Sequence, residues 1–230
     1  MPPPSSPPPP PKKRVLLVDD HPVFRAGLAG LVNMEPDLAV CGEASNATEA
    51  LDLTTATTPD LVLLDMSLPG KSGLELLKDL RAAHPSLPVL IVSMHDETLY
   101  AERIIRAGGR GYLMKQEGPE KMLQAIRKVL AGGMAVSERM AGIILDAIAA
   151  RQASQTFPPN GIGSVSTLTD REFEIYRLIG QGKEPQEVAR LLHLSIKTVD
   201  THRAHIKRKL GLKNYTELVH HATRWASDQL

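Results

Sequence analysis

The feature that most constrains this chain is an alternation that begins at residue 14. RVLLVD, LAVCGEA, DLVLLD, PVLIVS and GYLMK are short apolar or β-branched runs that recur roughly every two dozen residues. Between them lie FRAGLAGLVNM, ATEALDLTT, GLELLKDLRAA, YAERIIRAG and EKMLQAIRKVLAG, whose apolar residues return at intervals of three and four. The first set has the length and composition of strands, the second of amphipathic helices. Strands separated by whole helices are joined by crossovers, so the pattern predicts an α/β fold: a five-stranded parallel sheet covered on both faces. In such sheets the functional crevice lies beyond the carboxyl ends of the strands. Asp19, Asp20, Asp65, Ser93 and Lys115 all fall at those ends.

Three carboxylates converging on one crevice repel each other unless a cation joins them. All-oxygen ligands favour Mg²⁺ over zinc. An ammonium from Lys115 adds a second positive charge. Together they make a place for an incoming phosphoryl group, with metal and lysine on its oxygens and one carboxylate attacking in line. Capping of the first helix is the simpler role open to Asp20, which stands just before His21-Pro22. His21, His84 and His95 lack metal-ligand spacing and read as surface or turn residues.

Charge divides the rest of the chain. The net charge of +1 hides an acidic front and a basic back. Residues 15–150 carry 12 Lys/Arg and 18 Asp/Glu, a balance of −6. Residues 164–230 carry 11 and 8, a balance of +3, with five histidines besides. A basic C-terminal unit fits nucleic acid. MPPPSSPPPPPKKR, at the start, has no apolar core region and reads as an extended, solvated tail rather than a secretory signal. No apolar run approaches the ~20 residues that span a bilayer, so no membrane partner is expected. The single cysteine, Cys41, excludes an internal disulfide; it reads as core packing and fits a reducing cytoplasm. ERMAGIILDAIAARQ reads as a further helix and SQTFPPNGIGSVST as a linker. From Leu168 a compact helical segment follows, with helices predicted over about 170–180, 185–192, 196–210 and 215–226.

The acidic pair in VLLVDDHP, the aspartate in LVLLDMSLPG, the hydroxyl in VLIVSMHD, and the aromatic and lysine in GYLMK resemble, in order and spacing, the receiver domain of bacterial two-component response regulators. The resemblance covers about residues 14–131 and implies a flavodoxin-like fold. It implies that Asp65 accepts a phosphoryl group from a sensor histidine kinase. Asp19, Asp20, Asp65 and the backbone carbonyl of Met66 would hold Mg²⁺, and Lys115 would contact the phosphoryl oxygens. Ser93 would hydrogen-bond the arriving group, and Tyr112 would turn inward behind it. Such a protein is not an enzyme in the usual sense, although it can remove its own phosphoryl group. Two residues depart from the general pattern. Gln116 follows Lys115 where many receivers have proline, and a cis bond to a non-proline costs roughly 3 kcal/mol, which argues against one here. Met94 stands after Ser93 where a small residue is common, and its bulk at the site mouth would slow exchange of the phosphoryl group with water.

LTDREFEIYRLIGQGKEPQEVARLLHLSIKTVDTHRAHIKRKLGL resembles the LuxR-type helix-turn-helix of the NarL/FixJ regulators, over about residues 166–228. Val188, Ala189, Leu191 and Leu192 give the scaffold helix a buried face, His193-Leu194-Ser195 makes the turn, and Ser195 caps the next helix. There Ile196, Val199, Ile206 and Leu210 are spaced for the core. Five cations and Asp200 leave that helix at +4, which suits the major groove. Lys197, Thr198, Thr201, Arg203, Lys207 and Lys209 are the candidate DNA contacts. Asp200 reads as paired with Arg203 or a nearby lysine rather than facing a base. Glu184-Pro185-Gln186 replaces a more usual small-polar and basic stretch, which would remove a phosphate contact.

Four segments are thus expected: a tail (1–13), a receiver (14–131), a connecting helix and linker (132–165) and a smaller all-α DNA-binding domain (166–230). The combination implies a cytoplasmic, phosphorylation-switched regulator that binds promoter DNA as a homodimer. An aspartate-nucleophile phosphatase is the competing enzyme, but Ser67 stands where such enzymes usually place a second acid, and it leaves the basic domain unexplained. A constitutive DNA-binding protein with a silent receiver is the other competitor, and it has no use for the complete acid, hydroxyl, aromatic and lysine set.

Overall fold

A computed structural model describes residues 11–94, 97, 100–142, 145 and 165–227. Most of the predicted tail, the far half of the connecting helix and nearly all of the linker lie outside them. Five strands alternate with five helices: β1 (Lys13–Val18), α1 (Pro22–Asn33), β2 (Leu38–Ala44), α2 (Ala47–Thr57), β3 (Leu61–Leu64), α3 (Gly73–Ala83), β4 (Val89–Ser93), α4 (Ala101–Arg106), β5 (Gly111–Met114) and α5 (Pro119–Leu130). All pairings are parallel, in the order β2-β1-β3-β4-β5. This is the doubly wound order whose switch point lies between β1 and β3. Cys41 on β2 is partly buried against the core, with its sulfur 3.5 Å from Thr57 Oγ1.

The two-residue period of each strand divides the core. Val15, Leu17, Leu61 and Leu63 pack with Leu28 and Val32 of α1 and Ile126 and Val129 of α5. Leu16, Val18, Val62 and Leu64 pack on the opposite face with Leu77 and Leu80 of α3 and Ile104 of α4. β3 is only four residues long and wholly buried, so Asp65 leaves the core at once into the crevice. Backbone bonds carry the sheet's order past its strand ends: Asp19 N–H donates to the Ala44 carbonyl (3.0 Å), Asp65 N–H to that of Val18 (2.8 Å) and Lys115 N–H to that of Ser93 (2.8 Å). No described peptide bond is cis, Lys115–Gln116 included.

Beyond α5 the chain returns to the sheet edge, where Ala135 bridges Gly111 and its carbonyl accepts from Tyr112 N–H (2.8 Å). Residues 138–142 are helical. A 3₁₀ turn at Val165–Thr167 leads into four helices: α6 (Asp170–Gly180), α7 (Pro185–Leu191), α8 (Ile196–Leu210) and α9 (Tyr215–Ser227). Local signals set their ends. A capping box between Thr169 and Glu172 starts α6, Pro185 opens α7, and Ser195 Oγ caps α8 by accepting from Thr198 N–H (3.1 Å). Gly211, at φ 70°, closes α8. Val199, Ile206 and Leu210 are buried as their spacing predicts, whereas Leu191 and Ile196, also expected inside, are each 48% exposed. They flank the helix-turn-helix corner, at the last residue of α7 and the first of α8.

The loop from β3 to α3 holds the acceptor candidate in place. Ser72 and Glu75 form a capping box, and Gly73 N–H donates to the Met66 carbonyl (2.9 Å). A β-carbon at Gly73 would stand 2.7 Å from Met66 Cα and closer still to the Asp65 carbonyl oxygen. Gly73→Ala is therefore expected to displace this loop and to cost about 1–3 kcal/mol in denaturant unfolding, as other overpacking changes do.

Candidate functional site

β1 and β3 are neighbours and β5 lies one strand beyond β3, past β4, yet side chains from just beyond the ends of all three meet. Lys115, with a side chain 4% exposed, lies 2.6 Å from Asp19 Oδ2 and 2.8 Å from Asp65 Oδ2. Phe24 stands beneath the ammonium, its ring centroid 4.7 Å away. Asp19 Oδ1 accepts from the His21 backbone N–H (2.8 Å), and Arg25 donates to the Asp19 carbonyl. Burial pushes the Asp65 carboxyl up to about 6; Lys115 opposes that rise and Asp19 adds to it.

Donor atoms of Asp19, Asp20, His21 and Asp65 all lie within 4.8 Å of one another. Asp20 Oδ1 is buried without a hydrogen bond; His21 Nδ1, 2.7 Å away, is not aligned to supply one. Three carboxylates against one ammonium leave negative charge uncompensated, and an orphaned carboxylate oxygen points into the cluster. This donor set fits a hard divalent cation. The Met66 carbonyl, engaged by Gly73 N–H, retains a second lone pair. Ser93 and Tyr112 are buried on β4 and β5. The crevice thus gathers the acidic pair, the acceptor candidate and the lysine. It adds His21, which sequence spacing alone did not connect to them.

Sequence reasoning also missed what covers α6. Its charged residues ought to face water, yet Asp170 through Ile179 are all buried. The α9 side takes the apolar face, with Phe173 edge-on to Trp225 at 5.5 Å. The α/β unit covers the polar face. Asp170 bonds to Lys78 (2.5 Å) and Arg103 (3.2 Å), and Arg103 also donates to the Leu168 and Val165 carbonyls. The Arg103 guanidinium lies 4.2 Å over the Phe173 ring, and Tyr100 meets the same ring edge-on at 5.6 Å. At the helix-turn-helix corner, His193 Nε2 lies 3.8 Å from Asp20 Oδ2. The C-terminal helical unit is therefore seated beside the carboxylate crevice.

On α8 the outward residues are Ile196, Lys197, Asp200, Thr201, Ala204 and Arg208. Thr198 and Lys207 are half-buried. Arg203 donates to Asp200 (2.6 Å) and stacks on Tyr215 at 3.8 Å, while Lys209 bonds to Glu172 (2.6 Å). Both cations are engaged within the domain, and Arg208 is exposed in their stead.

The description "Response regulator receiver domain" matches residues 15–127, and "Bacterial regulatory proteins, luxR family" matches residues 166–222. The chain belongs to the NarL/FixJ-type response regulators. It is 37% identical over 204 residues to the nitrate/nitrite response regulator protein NarL of Escherichia coli (strain K12), covering 88% of this chain and 91% of that one. It is 33% identical over 210 residues to the oxygen regulatory protein NreC of Staphylococcus aureus (strain JH9), covering 91% and 96%. A LuxR-family two-component response regulator from Aurantimonas sp. SI85-9A1, 37% identical, superposes with a TM-score of 0.56 over 60% of this chain and 99% of that one. RcsB of Salmonella enterica serovar Typhimurium, 22% identical, shares the fold at a TM-score of 0.59 over 93% and 99%. This response regulator is a DNA-binding transcription regulator of a two-component system.

The seat of α6 carries its own titration. Glu174 is pushed up to about 7 by burial, against the pull of Arg171 and Arg177 and with the help of Glu75 from the receiver. Separating the domains removes Glu75 and admits water, which returns Glu174 toward its ordinary value of 4.5. The seated form therefore binds this proton more tightly. Its advantage is complete below about pH 4.5 and is lost as pH rises through about 7. Small-angle scattering is expected to show a larger radius of gyration at pH 8 than at pH 6, with Glu174→Gln flattening the difference.

Proposed function

We propose that a sensor histidine kinase phosphorylates Asp65 and that the change at the crevice alters the receiver's hold on α6. The observation that carries this reading is the buried Lys115 ammonium shared by Asp19 and Asp65. It holds an acceptor oxygen at the carboxyl end of the central strand and stands ready to follow the phosphoryl oxygens. Asp19, Asp20, Asp65 and the Met66 carbonyl would hold Mg²⁺, which would supply charge neutralisation for the incoming group. An Asp65 carboxylate oxygen attacks phosphorus in line, forming the O–P bond as the P–N bond of the kinase's phosphohistidine breaks and its imidazole leaves; the Ser93 hydroxyl donates to a phosphoryl oxygen, and Tyr112 packs behind it. Met94, 55% exposed beside Ser93, screens the acyl phosphate from water.

The freed DNA-binding domain would then pair with a second copy on promoter DNA with two half-sites, in the cytoplasm. Lys197, Thr198, Thr201 and Lys207 face or border the groove side of α8, and Arg208 joins them. Arg203 and Lys209 reach phosphate only by giving up Asp200 and Glu172. RcsB, which shares the fold, has been solved on the rprA promoter in the presence of the phosphomimetic BeF₃⁻.

Acetyl phosphate or beryllofluoride with Mg²⁺ is expected to change the oligomeric state and raise the DNA affinity of the wild type, and to do neither in Asp65→Asn. Identical behaviour of the two proteins in sedimentation and DNA-binding assays would overturn the switch. Once phosphorylated, Met94→Ala should lose its acyl phosphate faster than the wild type, measured as the decay of the labelled protein.

A further inference from the structure

The DNA-binding domain carries a second cluster of metal-ligating side chains, distinguished from the three-carboxylate crevice by its pair of imidazoles. Glu172 lies in the first turn of α6, and His202 and His205 lie three residues apart on one side of α8. One donor atom from each falls within 4.8 Å of the others. We propose that Glu172, His202 and His205 bind a divalent transition-metal ion, Zn²⁺ by chemistry, that ties the recognition helix to the first helix of its own domain.

Glu172 is preset for this. Its side chain is 4% exposed, and two donors, Thr169 N–H (2.8 Å) and Lys209 Nζ (2.6 Å), both land on Oε2. Oε1 faces His205 Nδ1 at 3.9 Å. The lysine therefore serves as an outer partner that fixes the carboxylate and leaves its second oxygen for a ligand bond. His202 is the other sign. Its Nδ1 is buried without a hydrogen-bond partner, a costly state in a helix packed against charged groups.

The geometry needs little change. Tetrahedral zinc with bonds of 2.0–2.2 Å holds its donors about 3.4 Å apart. Side-chain torsions on two packed helices can close the remaining gap without moving either backbone. Two imidazoles and one carboxylate are borderline donors that select Zn²⁺ over Mg²⁺, with a fourth position left for water. None of the three ligands is among the outward residues Lys197, Thr201 and Arg208, so metal and DNA would not compete for side chains.

Calorimetric titration of the untagged full chain with Zn²⁺, in saturating Mg²⁺, tests this directly. One equivalent is expected to bind, His205→Ala and His202→Gln should each weaken it at least about tenfold, and Asp65→Asn should leave it unchanged. Absence of saturable uptake, indifference to both histidine variants, or loss of uptake in Asp65→Asn would each refute the site. Circular dichroism checks that the variants fold. If they do not, the Co²⁺ spectrum of the wild type decides. Tetrahedral nitrogen–oxygen bands uphold the proposal, and an octahedral oxygen-only spectrum refutes it.

Discussion

One ammonium organises the receiver. Lys115 arrives from the end of β5 and meets carboxylates from the ends of β1 and β3, so three strands of one sheet are joined at their tips by a buried ion cluster. Such a cluster is costly to bury unless its members are paired and hydrogen-bonded. Here the partnership is incomplete by design of the residues: three acids face one lysine, and Asp20 Oδ1 has no hydrogen bond. The unspent negative charge is what makes the crevice receptive to a cation. The backbone bonds linking Asp19, Asp65 and Lys115 to neighbouring strands keep that charge from relaxing away.

The second organising element is α6, a helix buried on every side. Its apolar face builds the DNA-binding domain around Phe173, Ile175 and Tyr176, and its polar face is consumed by the receiver through Asp170 and Arg171. Because His193 sits within 3.8 Å of Asp20, the same docking brings the helix-turn-helix corner to the crevice. Events at the carboxylates and the seating of the DNA-binding domain thus share a border.

Much of this was legible in the sequence. The period-two and period-three-to-four patterns located every strand and helix of the receiver within a few residues, because each element buries one clear face. Strand ends then placed Asp19, Asp20, Asp65 and Lys115 together by topology alone. Ser195 announced a helix start through local hydrogen bonding, which its bond from Thr198 N–H bears out. What stayed hidden was tertiary in origin. Nothing in YAERIIR distinguishes Tyr100 and Arg103 as partners of Phe173, since that contact joins residues about seventy positions apart. Arg203 and Lys209 look solvent-bound by helical spacing, yet Tyr215 and Glu172 lie on other helices and intercept them. His21 entered the acidic cluster because the turn after β1 folds its ring back over the carboxylates.

The all-round burial of α6 has an evolutionary edge. A helix read by two domains cannot drift on either face without the other taking notice. Substitutions at Asp170 would be felt as altered regulation and could be rescued by changes at Lys78 or Arg103 in the receiver. Substitutions at Ile175, one turn on, would be felt as loss of the fold and answered only within the C-terminal domain. Eleven consecutive residues, Asp170–Gly180, would therefore answer to two separate sets of compensating partners, interleaved at the pitch of a helix.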